Sequence, residues 1–231
     1  MTSPATSSPA ASPFGRETAR ILLDIKAVNF RPKEPYTLTA GWASPVYIDC
    51  RKLISFVPER RRVIEMATEL LKSAVDLEQV GALAGGETAG IPYAAWLSES
   101  TGIPMVYVRK KPKGFGRMAQ IEGDLPPGKT AILVEDLATD GGSKLTFVNV
   151  LREADTTVTD SFVVFFYGAF ANALDSLKEH DLNLHYLATW HDVLAEAEAG
   201  QDFDAETLDG VRDFLADPIA WSARHGGRDK A

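Results

Sequence analysis

Two neighbouring acids, Glu135 and Asp136, stand ahead of a threonine, a further acid, two glycines and a serine in the run AILVEDLATDGGSK, from Ala131 to Lys144. Each residue type in that order suits the handling of a phosphorylated sugar. Gly141 and Gly142 carry no Cβ, so backbone N–H groups are able to converge on an anion, and the start of a following helix adds the positive end of its dipole. Thr139 and Ser143 add hydroxyl donors. Adjacent carboxylates repel each other unless they face hydroxyl groups, a divalent cation or both, and a ribose phosphate chelated to magnesium meets those needs. A solvated acidic turn is the plainer alternative, and the coincidence of so many features in one run weighs against it.

A strand and a helix must hold these groups in place. Ala131 to Val134 is a short apolar run of strand type, which Glu135 and Asp136 end. Lys144 to Leu151 has helical spacing, with Leu145, Val148 and Leu151 on one face. A second glycine motif, Gly123 to Thr130, satisfies the pattern G-x-x-x-x-G-K-[ST] of a P-loop nucleotide hydrolase. Pro126 and Pro127 have no N–H to offer a phosphate and Asp124 would repel one, while Lys129 leads into a strand where a P-loop lysine should open a helix. This segment is expected to be a turn.

Similar punctuation organises the rest of the chain. Arg16 to Val28 reads as an amphipathic helix, and Thr37 to Asp49 as turns and short strands. Pro58 suits the first turn of a helix running to about Ser73. Val80 to Ala84 is a buried strand candidate, followed by Gly85, Gly86 and a helix through Ala95. Met105 to Arg109, Phe162 to Tyr167 and Leu184 to Ala188 supply further strands. From Arg109 to Gly123 five cations (Arg109, Lys110, Lys111, Lys113 and Arg117) lie among Pro112, Gly114 and Gly116, which predicts a mobile basic loop. Glu206 to Leu215 and Pro218 to Arg224 look like terminal helices. Short apolar strands alternating with helices argue for an α/β fold with a doubly wound, mainly parallel sheet, in which ligands bind outside the carboxyl ends of the strands.

Composition narrows the function classes. A chain of 231 residues with formal charge −8 suits one α/β domain, residues 14–231 with a C-terminal helical extension, and offers no overall electrostatic footprint for nucleic acid or an anionic membrane. The sole cysteine, Cys50, excludes an internal disulfide and a thiolate metal cluster, and the four histidines show no ligand spacing. Residues 1–13, MTSPATSSPAASP, lack the basic and apolar regions of a signal peptide and read as a disordered tail. With no apolar stretch long enough to span a bilayer, a soluble cytoplasmic protein is expected.

The run VEDLATDGGSK resembles the phosphoribosyl pyrophosphate signature of type I phosphoribosyltransferases. Three further segments, YTLTAGWASPVYIDCRKLIS from Tyr36, AGGETAGIPYAAW from Ala84 and VYVRKKPKGFGRMAQIEG from Val106, together with ATWHDVL near Trp190, make the chain most similar to the orotate phosphoribosyltransferase family. The resemblance extends from about Lys26 to Leu194. It implies a Rossmann-like core of parallel sheet and flanking helices with a small hood. It implies transfer of ribose 5-phosphate from phosphoribosyl pyrophosphate to orotate, with Mg2+ bound mainly through the donor and no assigned protein ligand.

By the same resemblance, Glu135 and Asp136 match the acids that hold the ribose hydroxyls, and Thr139, Asp140, Gly141, Gly142 and Ser143 match the loop around the 5-phosphate. Gly85, Gly86 and Glu87 match the loop beside pyrophosphate. Arg109, Lys110 and Lys113 match the catalytic loop, whose lysine acts in the partner subunit's site in a homodimer with shared active sites. Tyr47 and Thr139 fall where the family places groups near orotate, with an ordinary core role as the alternative for Tyr47. The chain departs from the family's pattern in four places. Phe115 stands where many members have a loop histidine, and Glu135 replaces the commoner Asp. Thr39 replaces a lysine found in some members, and the segment Phe165-Phe166-Tyr167 lacks an arginine that some use for orotate. The alternatives are a non-catalytic regulator of the same fold and a transferase acting on a purine base. Retention of Lys110 and Lys113 argues against the first, and YTLTAGWASPVYID against the second.

Overall fold

The computed structural model describes residues 12–38, 41–114, 120–139, 142–170 and 173–229. Its helices are α1 (Gly15–Asp24), α2 (Val57–Ala74), α3 (Gly90–Thr101), α4 (Gly142–Glu153), α5 (Ala173–Lys178), α6 (Trp190–Gly200), α7 (Ala205–Ala216) and α8 (Pro218–Arg224). The strands are β1 (Val28–Phe30), β2 (Tyr36–Thr37), β3 (Ala43–Ser44), β4 (Val46–Ile48), β5 (Val80–Gly86), β6 (Met105–Val108), β7 (Ile121–Glu122), β8 (Thr130–Ala138), β9 (Thr157–Phe166) and β10 (Asn183–Thr189). The chain divides into two compact units, one of residues 57–166 and 172–187, the other of residues 1–56, 167–171 and 188–231.

In the first unit a six-stranded sheet runs in the order β10-β9-β8-β5-β6-β7. β5 lies parallel to both β6 and β8, β8 is parallel to β9, and β7 returns antiparallel along β6. Strands β5, β8 and β9 are nearly continuous buried runs, as parallel strands covered on both faces must be. Helix α4 presses Phe147, Val148 and Leu151 against Ala131, Leu133 and Val106, and α2 buries Val63, Ala67 and Leu71 on one stripe.

The second unit is built from the ribbons β1-β4 and β2-β3 with α1, α6, α7 and α8. A reciprocal capping box between Thr189 and Asp192 starts α6, which fixes Trp190 in the core. Arg20 of α1 bonds Asp202 just past α6 at 2.7 Å. The Tyr167 hydroxyl lies 3.0 Å from both Ser44 Oγ and the Val46 carbonyl, and burial pushes its phenol up to about 12. Phe214 of α7 packs edge-on against Trp221 of α8, so the terminal helices expected from the sequence pack on each other.

Several boundaries differ from the sequence expectation, each for a tertiary reason. β8 does not stop before Glu135 but runs on to Ala138, because β9 keeps pairing with it through Glu135↔Val163, Leu137↔Phe165 and Ala138↔Phe166. Gly85 and Gly86 belong to β5 and do not follow it, since they pair with Tyr107 and Val108 of β6. α1 ends at Asp24, four residues before Val28, because Lys26 turns to a left-handed φ of 57° and Val28 pairs with Ile48. β9 begins at Thr157 and ends before Tyr167. The basic segment is not loop throughout, for Ile121 and Glu122 form β7. Gly123 to Lys129 forms the expected turn into β8, with left-handed glycines at 123 and 128. Among the described residues no helix is long and apolar enough to cross a membrane. Of the tail, residues 1–11 lie outside the described residues.

Candidate active site

The register of the parallel strands brings three loops together. Gly85 of β5 is opposite Tyr107 of β6 on one side and Val134 of β8 on the other, so the segments that leave these strands emerge at one edge of the sheet. Gly86 ends β5 and Glu87 follows it, the segment after β6 carries Arg109, Lys110 and Lys113, and the end of β8 carries Glu135 and Asp136 with Thr139 just beyond.

Glu135 joins two of them. Its side chain is 12% exposed, and one oxygen, Oε2, lies 3.5 Å from the Nζ of Lys144 in the first turn of α4. The other, Oε1, is buried without a partner among the described residues and lies against Gly86. A Cβ at Gly86 would overlap that oxygen and come within 2.9 Å of Phe147, and one at Gly90 would overlap the Val134 carbonyl. Glycine is needed at both positions for close approach. Burial holds the Glu135 carboxyl above the usual carboxylate range, with Asp136 pushing the same way and the charges of Lys144 and Lys110 opposing. Asp136 is half-buried in the same strand. Strand alternation directs successive side chains to opposite faces, which eases the repulsion expected of adjacent acids.

Lys144 was overlooked in the sequence, where it only opened the helix. It is 1% exposed, and its ammonium donates to the Leu137 carbonyl at 2.5 Å. The signal was present, because Lys144, Phe147, Val148 and Leu151 form an i, i+3, i+4, i+7 stripe. A lysine on a buried stripe calls for an acid.

The basic loop is tied at its base. The Glu87 carboxylate accepts the Lys110 backbone N–H at 2.7 Å, the Glu87 N–H donates to the Val108 carbonyl at 2.9 Å, and Arg109 N–H donates to the Gln120 carbonyl at 2.7 Å. The Glu122 carboxylate draws Arg109 to 3.3 Å and the exposed Lys113 to 4.0 Å. Half-exposed pairs of this kind contribute roughly 0–1 kcal/mol, so releasing Lys113 from Glu122 costs little.

Among the phosphate-loop residues, Thr139 is half-buried and Gly142 opens α4, while Asp140, Gly141 and the side chain of Ser143 lie outside the described residues, as do Thr39, Phe115 and Arg117. Tyr47 belongs to the other unit, in β4. At 37% exposed, with its ring 5.3 Å from that of Tyr36, it is not a core tyrosine.

This sheet and its edge loops have the architecture of a type I phosphoribosyltransferase. An orotate phosphoribosyltransferase of Aeropyrum pernix superposes with a TM-score of 0.67 at 32% identity, covering 79% of this chain and 98% of that one. No family model matches the chain. Orotate phosphoribosyltransferases of Cereibacter sphaeroides and Agrobacterium fabrum are 52% and 49% identical to it, over 94% and 90% of its length and 93% and 90% of theirs. The chain belongs to the orotate phosphoribosyltransferase family.

Proposed function

We propose that this chain transfers ribose 5-phosphate from phosphoribosyl pyrophosphate to N1 of orotate, releasing pyrophosphate and forming orotidine 5'-monophosphate for pyrimidine synthesis. The observation that carries the proposal is the seat of Glu135 between the Gly86 segment and α4, in a chain about half identical to relatives named for this activity. Glu135 and Asp136 accept the ribose hydroxyls, and Thr139 to Ser143 surround the 5-phosphate. Gly85, Gly86 and Glu87 lie beside the pyrophosphate. By the same reading Thr139 belongs to the orotate-binding residues, and Tyr47 is assigned to them by the family resemblance alone.

Displacement at the anomeric carbon passes through an oxocarbenium-like state while negative charge grows on the departing pyrophosphate. Arg109, Lys110 and Lys113 answer that charge when the loop closes, and closure keeps out water that would hydrolyse the donor. Glu87, bonded to the Lys110 backbone, holds the start of the segment that carries these cations.

The residues suit magnesium carried by the donor. The edge loops offer hard carboxylate oxygens, the ligand type that magnesium takes. When bound, the ion supplies positive charge to the diphosphate oxygens. The same proposal holds the protein to be a cytoplasmic homodimer in which Lys113 of one subunit reaches the partner's site. If Lys113→Ala and Asp136→Asn chains are refolded together, about half the dimers are mixed, each with one intact site, so roughly a quarter of wild-type activity should return. No gain over the separate mutants, with mixed dimers present by mass spectrometry, places the lysine in its own subunit's site.

The transfer itself is tested by mixing protein, magnesium, donor and orotate and following orotate absorbance together with pyrophosphate release. Pyrophosphate released with a purine, or with orotate unchanged, refutes the acceptor; no release with any base leaves a non-catalytic regulator.

A further inference from the structure

Lys144 occupies a position where lysine is rare. Its helix neighbours on the same stripe, Phe147, Val148 and Leu151, are all core residues, and it is itself 1% exposed. An ammonium so placed is costly unless paired, and its three N–H donors need acceptors. Two lie within reach: the Leu137 carbonyl at 2.5 Å and Glu135 Oε2 at 3.5 Å. The shorter bond, to backbone, fixes the ammonium in the strand's frame. The carboxylate is then the group that the ammonium holds.

Held by Oε2, the Glu135 carboxylate is lodged with Oε1 against Gly86, where no side chain intrudes. That oxygen has no partner among the described residues, although buried carboxylate oxygens are nearly always bonded. It is an acceptor kept in reserve at the seam between the β5 and β8 segments. We propose that Lys144 is a positioning residue for the sugar-phosphate donor, acting through Glu135: it pins Oε2 so that the carboxylate keeps the two segments in register and Oε1 stays aimed at the seam. The proposal rests on the reading that Glu135 belongs to the donor site. Lys144 itself touches no substrate.

The test uses the full chain in four forms: wild type, Lys144→Met, Glu135→Gln and the double variant. Donor affinity is measured by calorimetric titration with phosphoribosyl pyrophosphate and magnesium without orotate, and KM for each substrate from orotate absorbance. Lys144→Met should weaken donor binding about tenfold or more, the scale of one charge-assisted hydrogen bond, while KM for orotate stays within about twofold. The double variant should bind donor no more weakly than Glu135→Gln alone, because a residue acting through Glu135 has nothing left to act through. Wild-type donor affinity in Lys144→Met, or losses that multiply in the double variant, overturns the proposal. Should Lys144→Met fail to fold, Glu135→Gln and the double variant, whose buried charges are both gone, decide alone: equal donor affinity upholds the proposal and a further tenfold loss overturns it. If Glu135→Gln and Asp136→Asn both bind donor as wild type does, the donor-site reading has failed and the proposal falls with it. Sensitivity there with an indifferent Lys144→Met removes only the role given to the lysine.

Discussion

Replacing Gly86 by alanine adds a single methyl at the point where the sheet and the site meet. The new Cβ would overlap Glu135 Oε1, lie 2.7 Å from the carboxyl carbon and 2.9 Å from Phe147 Cε2. Neither neighbour has room to yield, because Phe147 is packed in the core and the carboxylate is held by Lys144. Overpacking of this kind costs about 1–3 kcal/mol. For a chain of this size each kcal/mol lowers Tm by roughly 2–4 °C, so Gly86→Ala should melt roughly 2–12 °C below wild type. Displacing the carboxylate should also cost donor use. Losing a charge-assisted hydrogen bond, about 1.5–3 kcal/mol, corresponds to about a ten- to hundredfold fall in kcat/KM for the donor.

Gly102→Ala separates stability from function. Its Cβ would meet nothing within 4 Å, but φ is 74°, so it should lose about 1–2 kcal/mol to left-handed strain while KM for the donor stays unchanged. Adding Glu135→Asp to Gly86→Ala shortens the obstructing side chain by one methylene and should recover part of the lost Tm. Thermal unfolding and orotate-coupled kinetics with varied donor read all three variants. A Gly86→Ala protein with wild-type Tm and donor KM refutes the close packing of Glu135 on the β5 segment, and a double variant no more stable than Gly86→Ala shows that the overlap is not where the cost arises.

Asp136→Asn should lower kcat/KM for the donor about ten- to hundredfold by removing a charged acceptor, while circular dichroism stays that of wild type; an unchanged kcat/KM places the acid outside the site. Lys113→Ala should reduce kcat more than donor affinity, since loop cations meet charge that develops during the reaction, and a rise in KM alone would mark uniform binding instead. The raised Glu135 carboxyl makes a prediction about pH. The folded chain holds that proton more tightly than the unfolded chain, so this group's stabilising contribution is full below about pH 4.3 and is withdrawn as pH rises through the higher folded value. The Tm difference between Glu135→Gln and wild type should therefore move in favour of the variant from about pH 4 towards neutrality, and a difference that is flat or moves the other way removes the burial argument.

The strand that carries Glu135 and Asp136 and the helix that opens at Gly142 were legible because an apolar run and a helical period mark them locally. The strand ends were not, because a partner decides them: β9 carries β8 past two acids that local propensity would place in a turn, and β6 draws Gly85 and Gly86 into β5. Tertiary pairing overrides the weak local signal in both cases. Lys144 was missed for a different reason. A periodicity read from apolar residues picks Leu145, Val148 and Leu151 and passes over the buried lysine, whose partner lies nine residues back on a strand. The clue to that partner was the acid at 135 itself, a glutamate on a strand whose neighbours are buried. That acid reaches the Gly86 backbone, which demands a glycine there, and it is withdrawn from water, which demands a buried cation. Gly86, Glu135 and Lys144 therefore constrain one another, and a substitution that looks conservative at one of them is conservative only while the other two are present.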